Sequence, residues 1–142
     1  MKRSSLGQII IFFLVTTSCA EHDNIIPKPS ISLSNEFTTN WNGCLKGNTF
    51  GADPKLFHLA IYAQINELWF NLPDGVSPII NISEENEWIC QLERLEINEV
   101  SEVIIFLLPT SFNPPVLEGA KSIPTKLNLF SAAKHRVILN PI

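Results

Sequence analysis

Past the first forty positions of this 142-residue chain, apolar side chains recur mostly at every second residue. Leu59, Ile61, Ala63 and Ile65 alternate with His58, Ala60, Tyr62 and Gln64; then Leu68, Phe70 and Leu72 alternate with Trp69 and Asn71. A period of two marks strands, because successive side chains point to opposite faces. Asn66-Glu67 between the two runs predicts a two-residue hairpin. A helix over residues 54–63 is the rival reading of the first run, since proline after Asp53 suits a helix start. His58 lies on the polar phase, where a solvated side chain is expected rather than a base. Trp69 shares its phase with Asn71, which leaves two readings: exposed as an interface anchor, or packed on a second layer.

Further on, Pro73-Asp74-Gly75 predicts a turn, and Ile79–Ile82 a short strand. Trp88, Cys90 and Leu92 share one phase; Leu95 and Ile97 continue it one residue out of step, which predicts a bulge near Glu93-Arg94. A glutamate-rich helix over 84–96, capped by Ser83, is the alternative there. Val103–Leu108 is the most apolar run outside the first twenty residues and predicts a strand buried on both faces, stopped by Pro109. Residues 109–125 carry four prolines and read as a long loop, draped over the core by Phe112, Val116 and Leu117. Lys126–Phe130 and Arg136–Leu139 read as a closing hairpin. Asn40–Pro54 is dense in turn formers, with Trp41 and Cys44 pinning it to the core. The fold class is mainly β: a small antiparallel β-sandwich or partly open barrel of about six to eight strands, with a helix near 54–63 or 84–96 as the alternative.

The beginning of the chain follows a different pattern. Met1-Lys2-Arg3 is basic, Ile9–Val15 is wholly apolar, and Thr16, Thr17 and Ser18 are small. This is the layout of a secretory leader, and its apolar run is far below the roughly 20 residues that span a bilayer. Two cleavage points fit. Ser18-Cys19-Ala20 suits an ordinary signal peptidase cutting before Glu21. Thr16-Thr17-Ser18-Cys19 resembles the lipobox of bacterial lipoproteins, although Thr16 stands where that family usually has an aliphatic residue. The resemblance covers the first nineteen residues and implies a diacylglyceryl thioether on Cys19. Ala20 stands where aspartate usually marks retention at the inner membrane, which implies the periplasmic face of the outer membrane. The expected organisation is a leader over residues 1–18, a lipid-anchored tether over 19–39 rich in Ser, Thr and Pro, and one β-rich domain over 40–142. Ile31–Ser34 is a candidate edge strand within that tether.

Charge narrows the partners. Ten Lys and Arg against fourteen Asp and Glu give −4, and loss of Lys2 and Arg3 with the leader takes this to −6. An acidic chain is a poor ligand for phosphate backbones, so nucleic acid is not an expected partner. Residues 84–102 hold seven glutamates and one arginine, whereas after Glu118 there are four cations and no acid. The acidic stretch, including Glu93, Glu96 and Glu99, is either a solvated face or a patch that meets a basic protein.

Candidate chemistry is sparse. No GxSxG, HExxH, P-loop or GxGxxG pattern occurs, and His22, His58 and His135 are scattered singly, so neither a catalytic site, a metal site nor a cofactor is expected. In either cleavage reading Cys44 and Cys90 are left as a pair. In an exported chain this predicts a disulfide, which over a loop of that size is worth about 3–4 kcal/mol. Size and anchoring suggest, by analogy, a binding module: an immunity lipoprotein against a toxin delivered to the periplasm, or a pilotin-like assembly factor of a secretion system. A small lipid- or ligand-binding β-barrel is the alternative from a different class.

Overall fold

The computed structural model describes residues 26–34, 44–73, 77–92 and 99–139. In chain order these form β1 (Ser30–Leu33), β2 (Cys44–Phe50), β3 (Phe57–Ile65), β4 (Leu68–Leu72), β5 (Ile79–Ile80), β6 (Glu87–Gln91), β7 (Val100–Pro109), β8 (Glu118–Ala120), α1 (Thr125–Phe130) and β9 (Ala133–Ile138). Two antiparallel sheets result. The smaller runs β1-β2-β6; the larger runs β8-β4-β3-β7-β9, with β5 pairing the start of β3. The molecule is a small β-sandwich, in the fold class the alternation predicts.

The β3–β4 hairpin turns through Asn66 and Glu67, both with positive φ. Two successive left-handed residues give the turn whose twist matches that of the flanking strands. β3 and β7 pair from Phe57↔Pro109 to Ile65↔Val100 and form the spine of the larger sheet. Leu59, Ile61, Ala63, Val103, Ile105 and Leu107 point from this spine toward the smaller sheet, where Ile31, Leu45, Trp88, Cys90 and Leu92 meet them. Val103–Leu108 is buried on both faces, as its unbroken apolar run predicts.

The opposite face of the larger sheet is also covered. Ala60, Tyr62, Trp69, Ile104, Phe106 and Leu108 form a second core with Leu117 and Leu127, and Phe112 and Ile123 pack at its margin. The proline-rich segment and α1 therefore make a third layer. Tyr62 Oη donates to the Pro115 carbonyl at 2.8 Å, and the Leu117 N–H donates to Asn71 Oδ1 at 2.9 Å. Burial drives the Tyr62 phenol well above its ordinary pKa.

Several expectations change. Neither alternative helix forms: residues 57–65 are β3, and 87–91 are β6. The helix lies instead at Thr125–Phe130, where a strand was expected. β9 already occupies the outer edge of β7, so no edge remains there for 126–130, and a short helix lets Leu127 reach the second core. Cys44–Phe50, expected within a turn-rich stretch, is a strand in the middle of the smaller sheet. Ser30–Leu33 is an edge strand, the alternative that Ile31–Ser34 offered. The predicted bulge near Glu93-Arg94 and the anchor Trp41 lie outside the described residues, as do Cys19 and the leader.

Candidate functional site

Glycine 47 explains the shape of the smaller sheet. It faces Leu33 on one side and Trp88 on the other. A Cβ there would stand 2.0 Å from the Ser32 carbonyl oxygen and 2.8 Å from the Trp88 ring. No other residue fits a position where a neighbouring backbone and an indole approach this closely. A cleft of about 700 Å³ opens beside it, running from Ser34 across β2 and β6 to Asn81–Ser83. Lys46, Asn48, Glu87 and Ile89 line it from the outward phase of the sheet, and Trp88 forms part of its wall.

The cleft combines groups that suit recognition of a protein. Ile89 is 54 % exposed although it lies in a strand. Trp88 is buried, and its Nε1 has no hydrogen-bond acceptor. That donor lies on the inward phase of β6, opposite to Ile89, and is out of reach of a partner in the cleft. Among the described residues β6 pairs as a strand with β2 alone; Ser83 holds both the N–H and the carbonyl of Glu87 at its start, so the stretch open to an added strand is Ile89–Gln91. The turn before β6 is built on Ser83, whose Oγ accepts from the Glu87 N–H at 3.1 Å, and on Asn86 in the left-handed region. That turn holds Glu84, Glu85 and Glu87 exposed along the cleft side.

The sequence-expected site residues fare differently. Trp69 is not an exposed anchor: it is 7 % exposed and belongs to the second core. Its phase was legible, but the segment that covers this face is fifty residues away in sequence. Glu99 is exposed at the head of β7, while Glu93 and Glu96 lie outside the described residues. Glu102 is buried and pairs with Arg136 on β9. His58 is buried under the third layer rather than solvated; desolvation lowers its pKa, partly opposed by a hydrogen bond with the Phe112 backbone.

The Cys44–Cys90 disulfide is corrected. Cys44 pairs in register with Gln91, and Cys90 with Leu45. The two cysteines thus occupy opposite phases of one ladder: Cys90 points into the core beside Leu45, and Cys44 points outward with Lys46. Bridging needs Cβ vectors that converge, and both thiols are free. Burial, with a smaller push from Cys44, raises the Cys90 thiol to about 12. The cleft was missed in the sequence because Gly47-Asn48 disguises β2 as a turn. Ile89, an apolar residue on the polar phase of β6, was the available signal.

Among the described residues no three of His, Cys, Asp and Glu converge as a metal group would need, and no helix is long and apolar enough to cross a membrane. Comparison with protein families, with curated proteins and with solved structures gives no match.

Proposed function

We propose that this chain is an exported, lipid-anchored envelope protein whose β-sandwich grips another protein, and that it confers immunity against a toxin delivered into the periplasm. The observation that carries the binding half is the cleft on the smaller sheet, where exposed Ile89 lies beside the stretch of the β6 edge, Ile89–Gln91, that no described strand pairs. The anchoring half rests on the leader-like residues 1–18 and on Cys19, placed to carry lipid at the periplasmic face of the outer membrane. The acidic stretch, with Glu84, Glu85, Glu87 and Glu99 exposed, suits a basic partner that charge would steer and select. The protein works by contact and needs no cofactor.

The test is survival. Cells lacking this protein should be killed by siblings that carry the toxin delivery set, and the wild-type chain should rescue them. A chain with Ile89→Asp and Glu87→Lys, or with Glu93→Lys, Glu96→Lys and Glu99→Lys, should be made and exported at normal levels yet fail to rescue. Full rescue by both variants refutes the site. Normal survival of the deletion, together with loss of an assembled secretion pore, would favour the pilotin-like role instead.

A further inference from the structure

Five exposed apolar side chains gather at one end of the sandwich, whereas Ile138, opposite Glu102, lies at the other. Ile26, Phe50, Leu56, Leu129 and Phe130 are each more than half exposed, and the pairing places them together. Ser30 at the start of β1 lies opposite Phe50, so the chain enters where β2 ends. The backbone before β1 runs beside Gly51, whose Cβ position is 2.9 Å from the Pro27 carbonyl oxygen. Leu56 closes the short link into β3, and its carbonyl accepts from Thr110 at 2.9 Å, at the far end of β7. Two residues on, Phe112 stacks on Phe130 with ring centroids 5.1 Å apart. α1 thus presents Leu129 and Phe130 to solvent while Leu127 fixes it to the core.

The charges around this end are arranged by side. Lys28, Lys55, Lys126 and Lys134 are exposed here, and Lys134 Nζ donates to Asn128 on α1. From Gly119 onward the sequence holds no acid. Among the described residues the acids at this end are Asp53, whose Oδ1 accepts from the Lys55 N–H, and Glu84, Glu85 and Glu87 at the turn into β6. β6 is the edge of the smaller sheet away from β1, whereas β9, which follows α1, packs near β1. The side where the chain enters is therefore apolar and basic, and the acidic turn stands on the other flank.

We infer that this end is a membrane-docking face: Leu129 and Phe130 of α1, with Leu56 and Ile26, seat at the headgroup–acyl boundary, and the lysines meet anionic headgroups. Apolar side chains rimmed by Lys are what an interfacial site requires. The occupant follows from where the chain begins. Only six residues lie between Cys19 and Ile26, a reach of at most about 25 Å when fully extended. A lipid on Cys19 therefore holds this end, and not the opposite end with Glu67 and Glu99, against the bilayer. The inference rests in this step on the anchoring proposed above. The two acyl chains of a diacylglyceryl group hold the protein at the membrane; docking this end fixes how the domain is turned, with the flank bearing the cleft clear of the membrane.

The full chain, produced in bacterial cells, tests it by photocrosslinking. A benzophenone side chain placed at Leu129, at Leu56 or at Glu67 is activated in intact cells. The expected result is phospholipid adducts at Leu129 and Leu56, about tenfold or more above Glu67. Leu129→Glu with Ile26→Glu, the two most exposed apolar positions of this end, should abolish the adduct at Leu56 while leaving urea unfolding unchanged. Equal lipid adducts at all three positions, or adducts at Leu129 that contain protein rather than lipid, would overturn the docking face. The mass of the N-terminal peptide from the same cells keeps the two proposals apart. An acylated Cys19 without lipid adducts refutes docking and leaves anchoring standing. Lipid adducts on an unacylated chain support docking and refute the anchor.

Discussion

Asn71→Ala probes the third layer most sharply. Asn71 is 1 % exposed and links three segments: its Oδ1 accepts from the Leu117 N–H at 2.9 Å, its Nδ2 donates to the Pro73 carbonyl at 3.1 Å, and its backbone N–H donates to Leu117 at 3.0 Å. Alanine keeps the backbone bond and strands a buried N–H at Leu117, which costs about 1–3 kcal/mol. The Pro73 carbonyl lies nearer solvent and loses a bond worth about 1 kcal/mol. The sum is about 2–4 kcal/mol, a large share of the roughly 5–15 kcal/mol that a domain holds in total. Urea unfolding of the mature protein, followed by tryptophan fluorescence, reads this as a lower midpoint at unchanged slope. Limited proteolysis should show residues 110–124 cut earlier than in the wild type. Asn128→Ala, an exposed amide on α1, should stay within about 0.5 kcal/mol. If Asn71→Ala also costs less than about 0.5 kcal/mol and leaves proteolysis unchanged, the long segment is not held as described.

Other outcomes follow from the same structure. Gly47→Ala forces a methyl into the Ser32 carbonyl and the Trp88 ring; it should destabilise by about 3 kcal/mol or more and collapse the cleft, measured by urea unfolding and near-ultraviolet circular dichroism. His58 has a folded pKa below its unfolded 6.5, so below that pH the unfolded chain binds the extra proton. Stability should fall as pH drops from about 6.5 toward the folded value, by on the order of 1 kcal/mol per pH unit. His58→Gln should remove that slope, and an identical pH profile in both proteins would refute the assignment. With Cys90 buried and its thiol raised to about 12, iodoacetamide at neutral pH should modify it only on unfolding. A linked Cys44–Cys90 peptide in a non-reduced digest would contradict the free thiols.

What the sequence makes legible is phase, and phase alone does not say what covers a face. Leu59, Ile61 and Ala63 are read correctly as inward, and Trp88, Cys90 and Leu92 likewise, because each sits on a period-two pattern. The hairpin at Asn66-Glu67 is local chemistry and is also read correctly. His58 is assigned to the right phase and the wrong environment, and of the two readings of Trp69 the packed one holds: their cover comes from Phe112, Leu117 and α1, whose docking is a tertiary event. The disulfide expectation fails for a related reason. Counting cysteines says that two remain, while only the β2–β6 register shows that they occupy opposite faces of one ladder. β2 is hidden because Gly47, required by the approach of Trp88, looks like a turn residue when read in isolation. Thr125–Phe130 alternates Leu127 and Leu129 as a strand would, and becomes a helix because β9 already fills the sheet edge.

Whether Cys19 anchors this protein is decided by the mass of the mature N-terminal peptide isolated from bacterial envelopes. The lipid-anchored account predicts a peptide that begins at Cys19 and carries a diacylglyceryl thioether. A free amino terminus at Glu21, with Cys19 lost, would contradict it.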